Sequence, residues 1–490
     1  MNKWVWGLGG AVLVLGGVIA ARTAMFAPEA VGTGAGITVA AAPTFDNALA
    51  AQHLGEAVRI QTVSHQDPAE NQLGEWTKLH DWLTATYPKA SAKMQRQEQG
   101  QTLVYTWPGS DPSAQPIIIM AHQDVVPVTP GTEGDWKHAP FSGEIADGAV
   151  WGRGSVDDKG SLVALFEGLE ALAGQGFIPK RTIILVSGHD EEVGGTGAKA
   201  AADWLAAHHT KALFTIDEGG LIATDTPMIN GPAAMIGVAE KGYVTLKVVA
   251  PAKGGHSSAP PQASEIGTIN LAKALLRIEA KQFPLELRGP AEDMVSVLAA
   301  KAGGINRLAA ANRWLFGGLI VSRMGDNPAS AAMLHTTISP TMLTGSPKEN
   351  VLPQTATALI NYRIAPWDSS VKVLARARQA VGKLPVTVDF SGGPTREPSP
   401  VSSSDSPGWN LIAATISAER PGLVVSPYLV VAGTDSRSMS PVSQDVYRFQ
   451  AINFASGDIK MIHGTNEHMT LDNLSSLIRF YTRLVATAAG

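Results

Sequence analysis

The stretch PIIIMAHQDVVPV, residues 116–128, decides how this chain folds. Its apolar run, Ile117 to Met120, passes through Ala121 into His122, with Asp124 two residues further on. An uninterrupted apolar run of this length reads as a strand buried on both faces, as in a parallel sheet covered by helices. In open α/β sheets the ligand crevice lies beyond the carboxyl ends of the strands. His122 and Asp124 stand at that end. Residues two apart on extended chain point the same way. Asp124 can therefore accept the far N–H of the His122 imidazole, fix its tautomer and raise its basicity.

Outward from this stretch the same texture recurs. RTIILVSGHDEE (181–192) and KALFTIDEGG (211–220) read as further strands ending in acids, and QTLVYTWPG (101–109) as a strand stopped by Pro-Gly. GEWTKLHDWLTATYP (74–88), GSLVALFEGLEALAGQG (160–176) and GAKAAADWLAAHH (197–209) have helical periodicity. Strands alternating with helices predict an α/β domain with a mixed sheet flanked by helices. From about residue 241 the pattern changes. GYVTLKVVAPA (242–252) alternates, a helix follows at 263–280, and HTTISPTMLTGS and TATALINYRIAP are strand-like. This predicts a smaller inserted α+β unit over 241–366, carrying an Ala-rich helical segment at 290–334. The catalytic-type texture would occupy 46–240 and resume over 367–490.

The N-terminus carries 18 consecutive uncharged residues, 4–21, before Arg22. A membrane span needs about 17–25, so residues 1–22 read as an apolar helix serving as a single membrane anchor, with a cleaved signal segment as the alternative. Either reading puts the rest of the chain outside the cytoplasm, in a periplasmic or extracellular space. Residues 23–45, rich in Ala, Gly, Thr and Pro, read as a linker.

The bulk numbers exclude several chemistries. A net charge of −5 without a long basic run argues against nucleic acid. The absence of cysteine removes thiolate metal sites, cysteine nucleophiles and disulfides together. H-E-x-x-H and G-x-S-x-G are both absent. GTGAKA (195–200) matches a dinucleotide-binding pattern, but the acidic Asp190, Glu191 and Glu192 before it would repel a pyrophosphate. What remains is a set of polar residues at strand ends: His122, Asp124, Asp157, Glu191, Glu192, Asp217 and His463. Imidazole and carboxylate together suit zinc. Two histidines and three carboxylates, one of them shared, suffice for two divalent ions about 3.5–4 Å apart, and one further carboxylate is left to serve as general base.

HQDVVPV, WGRGSVDDKG, HDEEVGG, IDEGG, GGHSSAPP, NVLP and IHGTNEH follow one another in this order. Over roughly residues 50–485 the chain thereby resembles the M20 metallopeptidase family, in particular its carboxypeptidase S and N-acyl-amino-acid hydrolase branch. The resemblance implies that His122, Asp157, Glu192, Asp217 and His463 bind two zinc ions (or other divalent ions such as cobalt or manganese), with Asp157 bridging. It implies Glu191 as general base and Asp124 as the orienter of His122. Asp157 is preferred over its neighbour Asp158, and Asp217 over Glu218, relatives using either acid type at the latter place. The inserted unit would be a lid that dimerises, and His256 would stabilise an oxyanion, often in the partner subunit's site. Arg437 would grip a substrate carboxylate, with Asn350 and Arg363 as further candidates of that kind. The implied activity is zinc-dependent amide hydrolysis. It releases the C-terminal residue of a peptide or frees an amino acid from its N-acyl or N-fatty-acyl group. The same chemistry run backwards, or deacetylation of a small precursor, is the alternative.

Overall fold

The computed structural model of the 490-residue chain describes residues 3–27 and 31–490, with side chains from residue 12 onward. Its larger sheet has ten strands. Ile183–Ser187, Ile117–Met120, Phe214–Asp217 and Val446–Arg448 lie side by side and parallel. Gln95–Gln99 at one edge and its neighbour Thr102–Trp107 pair antiparallel, so the sheet is mixed and the fold is α/β.

The continuous apolar run at 117–120 follows from what covers each face. Ile117 and Ile119 pack into the core formed with the helices Lys159–Gly174 and Leu471–Ala489. Ile118 and Met120 pack on the opposite face against Ala198, Ala201 and Leu205 of the helix Thr196–Ala207. Each of the four is buried, at roughly 1.5–3 kcal/mol for a side chain of this size. One polar substitution in this strand would therefore cost the fold on either face.

A second, antiparallel sheet contains Thr337–Thr344, Thr355–Ile364, Gly242–Pro251 and Thr387–Phe390 in that order. Alternate residues of Gly242–Pro251 and Thr355–Ile364 are buried, because only one face is covered, by the helices Gly267–Glu279 and Ser370–Val381. The fourth strand and the second of these helices lie beyond residue 366, where the sequence placed the return to the larger domain. The two strands stop at 364 and 390, and the helix between them packs its Val373, Leu374 and Ala377 under the smaller sheet. The Ala-rich segment divides into short helices, of which Pro290–Ala302 packs on Val424–Val430 of the larger sheet.

The membrane anchor expected at the N-terminus is corrected. Residues 3–25 form a helix, yet no helix among the described residues is long and apolar enough to cross a membrane. Five of residues 4–21 are glycine, which dilutes the apolar run. The C-terminal turn of the helix is tied to the protein body. Arg307 donates to the Thr23 carbonyl (2.9 Å), Asn312 to Thr23 Oγ1 (3.1 Å), and Arg22 to the Ala311 carbonyl (3.2 Å). The expectation of a catalytic part held at a membrane by this helix falls with the anchor. Met1 and Asn2, and the side chains of residues 3–11, lie outside the described residues.

Candidate active site

Three neighbouring parallel strands end at one edge of the larger sheet, and each delivers acids or a histidine there. Ile117–Met120 leads to His122. Ile183–Ser187 leads to Glu191 and Glu192, and Phe214–Asp217 to Glu218. The backbone couples two of these ends, since Gln123 N–H donates to the Gly188 carbonyl at 2.7 Å. A fourth contribution, Asp157 and Asp158, comes from the turn before the helix Lys159–Gly174, and a fifth, His463, from a loop near the C-terminus with φ of 60°.

Asp157 joins the two histidines. Its Oδ1 lies 2.9 Å from His122 Nε2 and its Oδ2 3.1 Å from His463 Nε2. Glu192 Oε2 is 3.0 Å from the same His463 nitrogen. Glu218 Oε1 lies 3.6 Å from His122 Nε2. His122, Asp157 and Glu192 form one group of converging ligand atoms, and His122, Asp158 and Glu218 another. Asp217, the acid preferred from the sequence, turns away: its Oδ2 accepts from Ser436 N–H at 2.9 Å. It is the last residue of its strand, and the next residue, Glu218, takes the side facing His122.

The buried surroundings make this crowd of acids costly. Burial pushes Glu191 and Glu218 well above the usual carboxylate range, and burial followed by the charge of Asp157 raises Glu192 to about 7. Burial also works against Asp157, but its contacts with His122 and His463 outweigh it and hold the carboxyl below the usual range. Contacts with Asp157 and then Glu192 raise His463 to about 10. Glu192 Oε1 is buried with no hydrogen-bond partner. Nitrogen and oxygen donors with an orphaned carboxylate oxygen among them fit hard or borderline divalent cations.

Supporting groups hold these side chains. His122 Nδ1 is 2.9 Å from the Asp124 carbonyl and 3.4 Å from the Asp124 carboxylate. That carboxylate also accepts from Ser64 Oγ (2.6 Å) and from the backbone N–H groups of Glu191 and Glu192 (3.1 Å each). One anion thus steers the histidine and pins the two-glutamate turn. Glu467, fully buried, accepts from the N–H groups of Gly154, Val156 and Asp157 and from Arg153 at 2.7 Å. Sequence reasoning passed over Glu467, although it lies in the IHGTNEH stretch four residues after His463. Ser64 carried no signal.

Glu191 lines a cavity of about 310 Å³ together with Arg396, Arg437, Asp435 and Lys199. Arg437 lies there as expected but is engaged: it donates to the buried Glu240 at 2.5 Å and to the Thr434 carbonyl at 3.2 Å. Glu240, which also accepts from Arg448 and Thr434, drew no attention in the sequence. Arg363 lies over the Tyr243 ring at 4.9 Å. His256 and Asn350 come together on a two-stranded ribbon, Gly255–His256 with Val351–Leu352, where Ser257 N–H donates to the Asn350 carbonyl. His256 is exposed and contacts Ser258 Oγ at 2.8 Å. Neither residue touches the His122–His463 group.

Comparison with known proteins agrees with this geometry. A family model described as peptidase family M20/M25/M40 matches residues 118–487. The chain is 34% identical to a probable carboxypeptidase S-like protein of Dictyostelium discoideum, covering 89% of this chain and 84% of the relative. It is 34% identical to the human N-fatty-acyl-amino acid synthase/hydrolase (88% and 86% covered) and 31% identical to carboxypeptidase S of Saccharomyces cerevisiae (89% and 84%). The fold is shared with an M20 family metallo-carboxypeptidase from Sulfolobus solfataricus, at 15% identity and a TM-score of 0.63 over 91% of this chain and 99% of the other. Human carnosine dipeptidase 1 shares it at 14% identity and a TM-score of 0.62, over 90% and 96%. The converging histidines and acids thus have a family, and the chain belongs to peptidase family M20/M25/M40 as a metal-dependent hydrolase of amide bonds.

Proposed function

We propose that this chain hydrolyses an amide bond whose nitrogen belongs to an amino acid with a free carboxylate. The carboxylate-bearing part is either the C-terminal residue of a peptide or the amino acid of an N-acyl conjugate. The observation that carries the reading is Asp157, set between His122 and His463, beside a half-buried Glu191 that faces a cavity holding cationic side chains. The similarity to proteins named carboxypeptidase S and N-fatty-acyl-amino acid synthase/hydrolase supports both substrate types.

Two zinc ions, or cobalt or manganese in their place, would be held by His122, Asp157 and Glu218 on one side and by Asp157, Glu192 and His463 on the other. When bound, such ions supply Lewis acidity toward the amide carbonyl and lower the pKa of water. Glu191 takes a proton from the attacking water and returns it to the departing amine nitrogen. Its raised proton affinity suits both steps. Asp124 keeps His122 in the tautomer whose Nε2 is free for a ligand bond. Arg153 and Glu467 fix the backbone from which Asp157 projects.

The division of labour proposed for the chain is a catalytic unit interrupted by the smaller sheet, which acts as a lid and dimer contact. His256 and Asn350, together on an exposed ribbon of that unit, would reach a substrate across a subunit boundary. The synthase/hydrolase names among the relatives also favour the reverse reaction, in which an acid and an amino acid join with loss of water.

The test incubates the zinc-loaded protein with dipeptides, N-acetyl amino acids and N-fatty-acyl amino acids, reading released amino acid by mass spectrometry. Turnover lost in Glu191→Gln supports the reading. Equal turnover in that variant, or none in any class with metal bound, removes it.

A further inference from the structure

We propose that Arg396 is a specificity-determining residue that receives the free carboxylate of the substrate's amino-acid end. This rests on the function proposed above and adds the group that recognises the carboxylate.

Three cations line the cavity beside Glu191. Lys199 is spent on Asp203 at 2.5 Å. Arg437 is spent on Glu240. Arg396 forms no ion pair with a carboxylate among the described residues. Its one side-chain bond goes from a terminal nitrogen to the Gly194 carbonyl. A guanidinium carries five N–H donors in a planar fork matched to a carboxylate, so Arg396 keeps most of its donors for a ligand. Its backbone is fixed from both sides, with Arg396 N–H donating to the Tyr243 carbonyl at 2.8 Å and Tyr243 N–H returning to the Arg396 carbonyl at 2.7 Å. The stem is held while the head is underused.

The loop around it is shaped for that head. Gly194 follows directly on the Glu191–Val193 turn, with φ of 146°. A Cβ at Gly194 would lie 3.3 Å from the terminal nitrogen of Arg396, so glycine there allows the guanidinium to rest on the segment that carries the general base. Arg363 lies close enough that its charge is felt together with those of Arg396 and Arg437. Of the cations that line the cavity, the one without a carboxylate partner among the described residues is Arg396. A substrate's carboxylate is one carbon removed from the scissile nitrogen, to which Glu191 must deliver its proton. The anion therefore comes to rest within reach of the Glu191 loop, where Arg396 stands.

The experiment compares kcat/KM for N-dodecanoyl-leucine with that for its neutral primary amide, N-dodecanoyl-leucinamide, in the zinc-loaded full chain. The variants are Arg396→Gln and Arg396→Lys, each checked for native circular dichroism and melting. A charge-assisted bidentate contact predicts that the acid-over-amide ratio falls about 30-fold or more in Arg396→Gln, chiefly through KM, with Arg396→Lys in between. Binding of N-dodecanoyl-leucine to Glu191→Gln protein by calorimetry should weaken in parallel when Arg396→Gln is added. An unchanged ratio and unchanged affinity would overturn the proposal while leaving the hydrolase reading intact. Wild-type protein inert toward both compounds and toward the peptide panel would remove the hydrolase reading itself, and this proposal with it. If Arg396→Gln fails to fold, Arg396→Lys decides, because a lysine that keeps the full ratio also overturns it.

Discussion

Asp157 and His463 meet across 306 positions of sequence at 3.1 Å, and the other oxygen of the same carboxylate touches His122. A single side chain thus closes the site between the front of the catalytic unit and its end. Asp157→Asn keeps the shape but gives one oxygen to an amide that cannot serve as an anionic ligand. Loss of activity by more than about a hundredfold, beyond what a supporting residue costs, is expected, with bound metal reduced in elemental analysis. Full metal content with wild-type turnover would show that Asp157 is not shared.

The neighbours Asp217 and Glu218 should separate cleanly. Glu218→Gln is expected to lose metal and turnover with little change in melting. Asp217→Asn is expected to keep metal and to lose stability by about 1–3 kcal/mol, because the buried Ser436 N–H that donates to it has a poorer acceptor. Elemental analysis and denaturant midpoints measured on both proteins decide between the two acids, and the reverse pattern would restore Asp217 as the ligand.

Glu467 satisfies three backbone N–H groups and the buried Arg153 at once. Glu467→Gln leaves that guanidinium without its counter-charge inside the protein, which costs about 3–5 kcal/mol. It also loosens the turn carrying Asp157, so metal affinity is expected to drop about 10–100-fold. Chemical denaturation and competition with a metal indicator test the two effects separately.

Lys241 provides a pH signature. It is buried and donates to the Ala332 and His335 carbonyls. Burial, and then the charge of Arg363, bring it down to about 7. The ordinary lysine value, about 10.4, applies to the unfolded chain. Below pH 7 both states hold the proton and the cost of the buried charge is fully present. Between about 7 and 10.4 the unfolded chain still holds the proton that the native one has released, so this contribution to stability rises with pH, by up to about 1.4 kcal/mol per unit. Wild type should gain on Lys241→Met across this window in urea titrations, and parallel pH profiles would exclude the effect.

Much of this was legible in the chain itself. The strands at 117–120, 183–187 and 214–217 announce themselves because helices cover both faces and the runs are mostly apolar until their last residues. His122, Asp157, Glu192 and His463 follow from their places after strands and in ordered motifs. The choice between Asp217 and Glu218 was not legible, because a one-residue change at a strand end reverses which side a carboxylate faces. The expectation that Arg437 grips a substrate carboxylate could not take account of Glu240, its partner 197 positions away. The apolar N-terminal run resembled a span on length, but length says nothing of the bonds from Arg307 and Asn312 that tie its end down.

The bond set around Glu467 also has a consequence in time. A ribosome makes the chain from its N-terminus, so His122, Asp157, Glu192 and Glu218 emerge long before His463 and Glu467. Until residue 467 leaves the exit tunnel, the turn at 154–157 lacks the acceptor of its three N–H groups, and Asp157 lacks its second histidine. A chain that stops short of residue 463 is therefore expected to carry an inert half-site, and the ability to cut amide bonds to arrive only once His463 and Glu467 are in place.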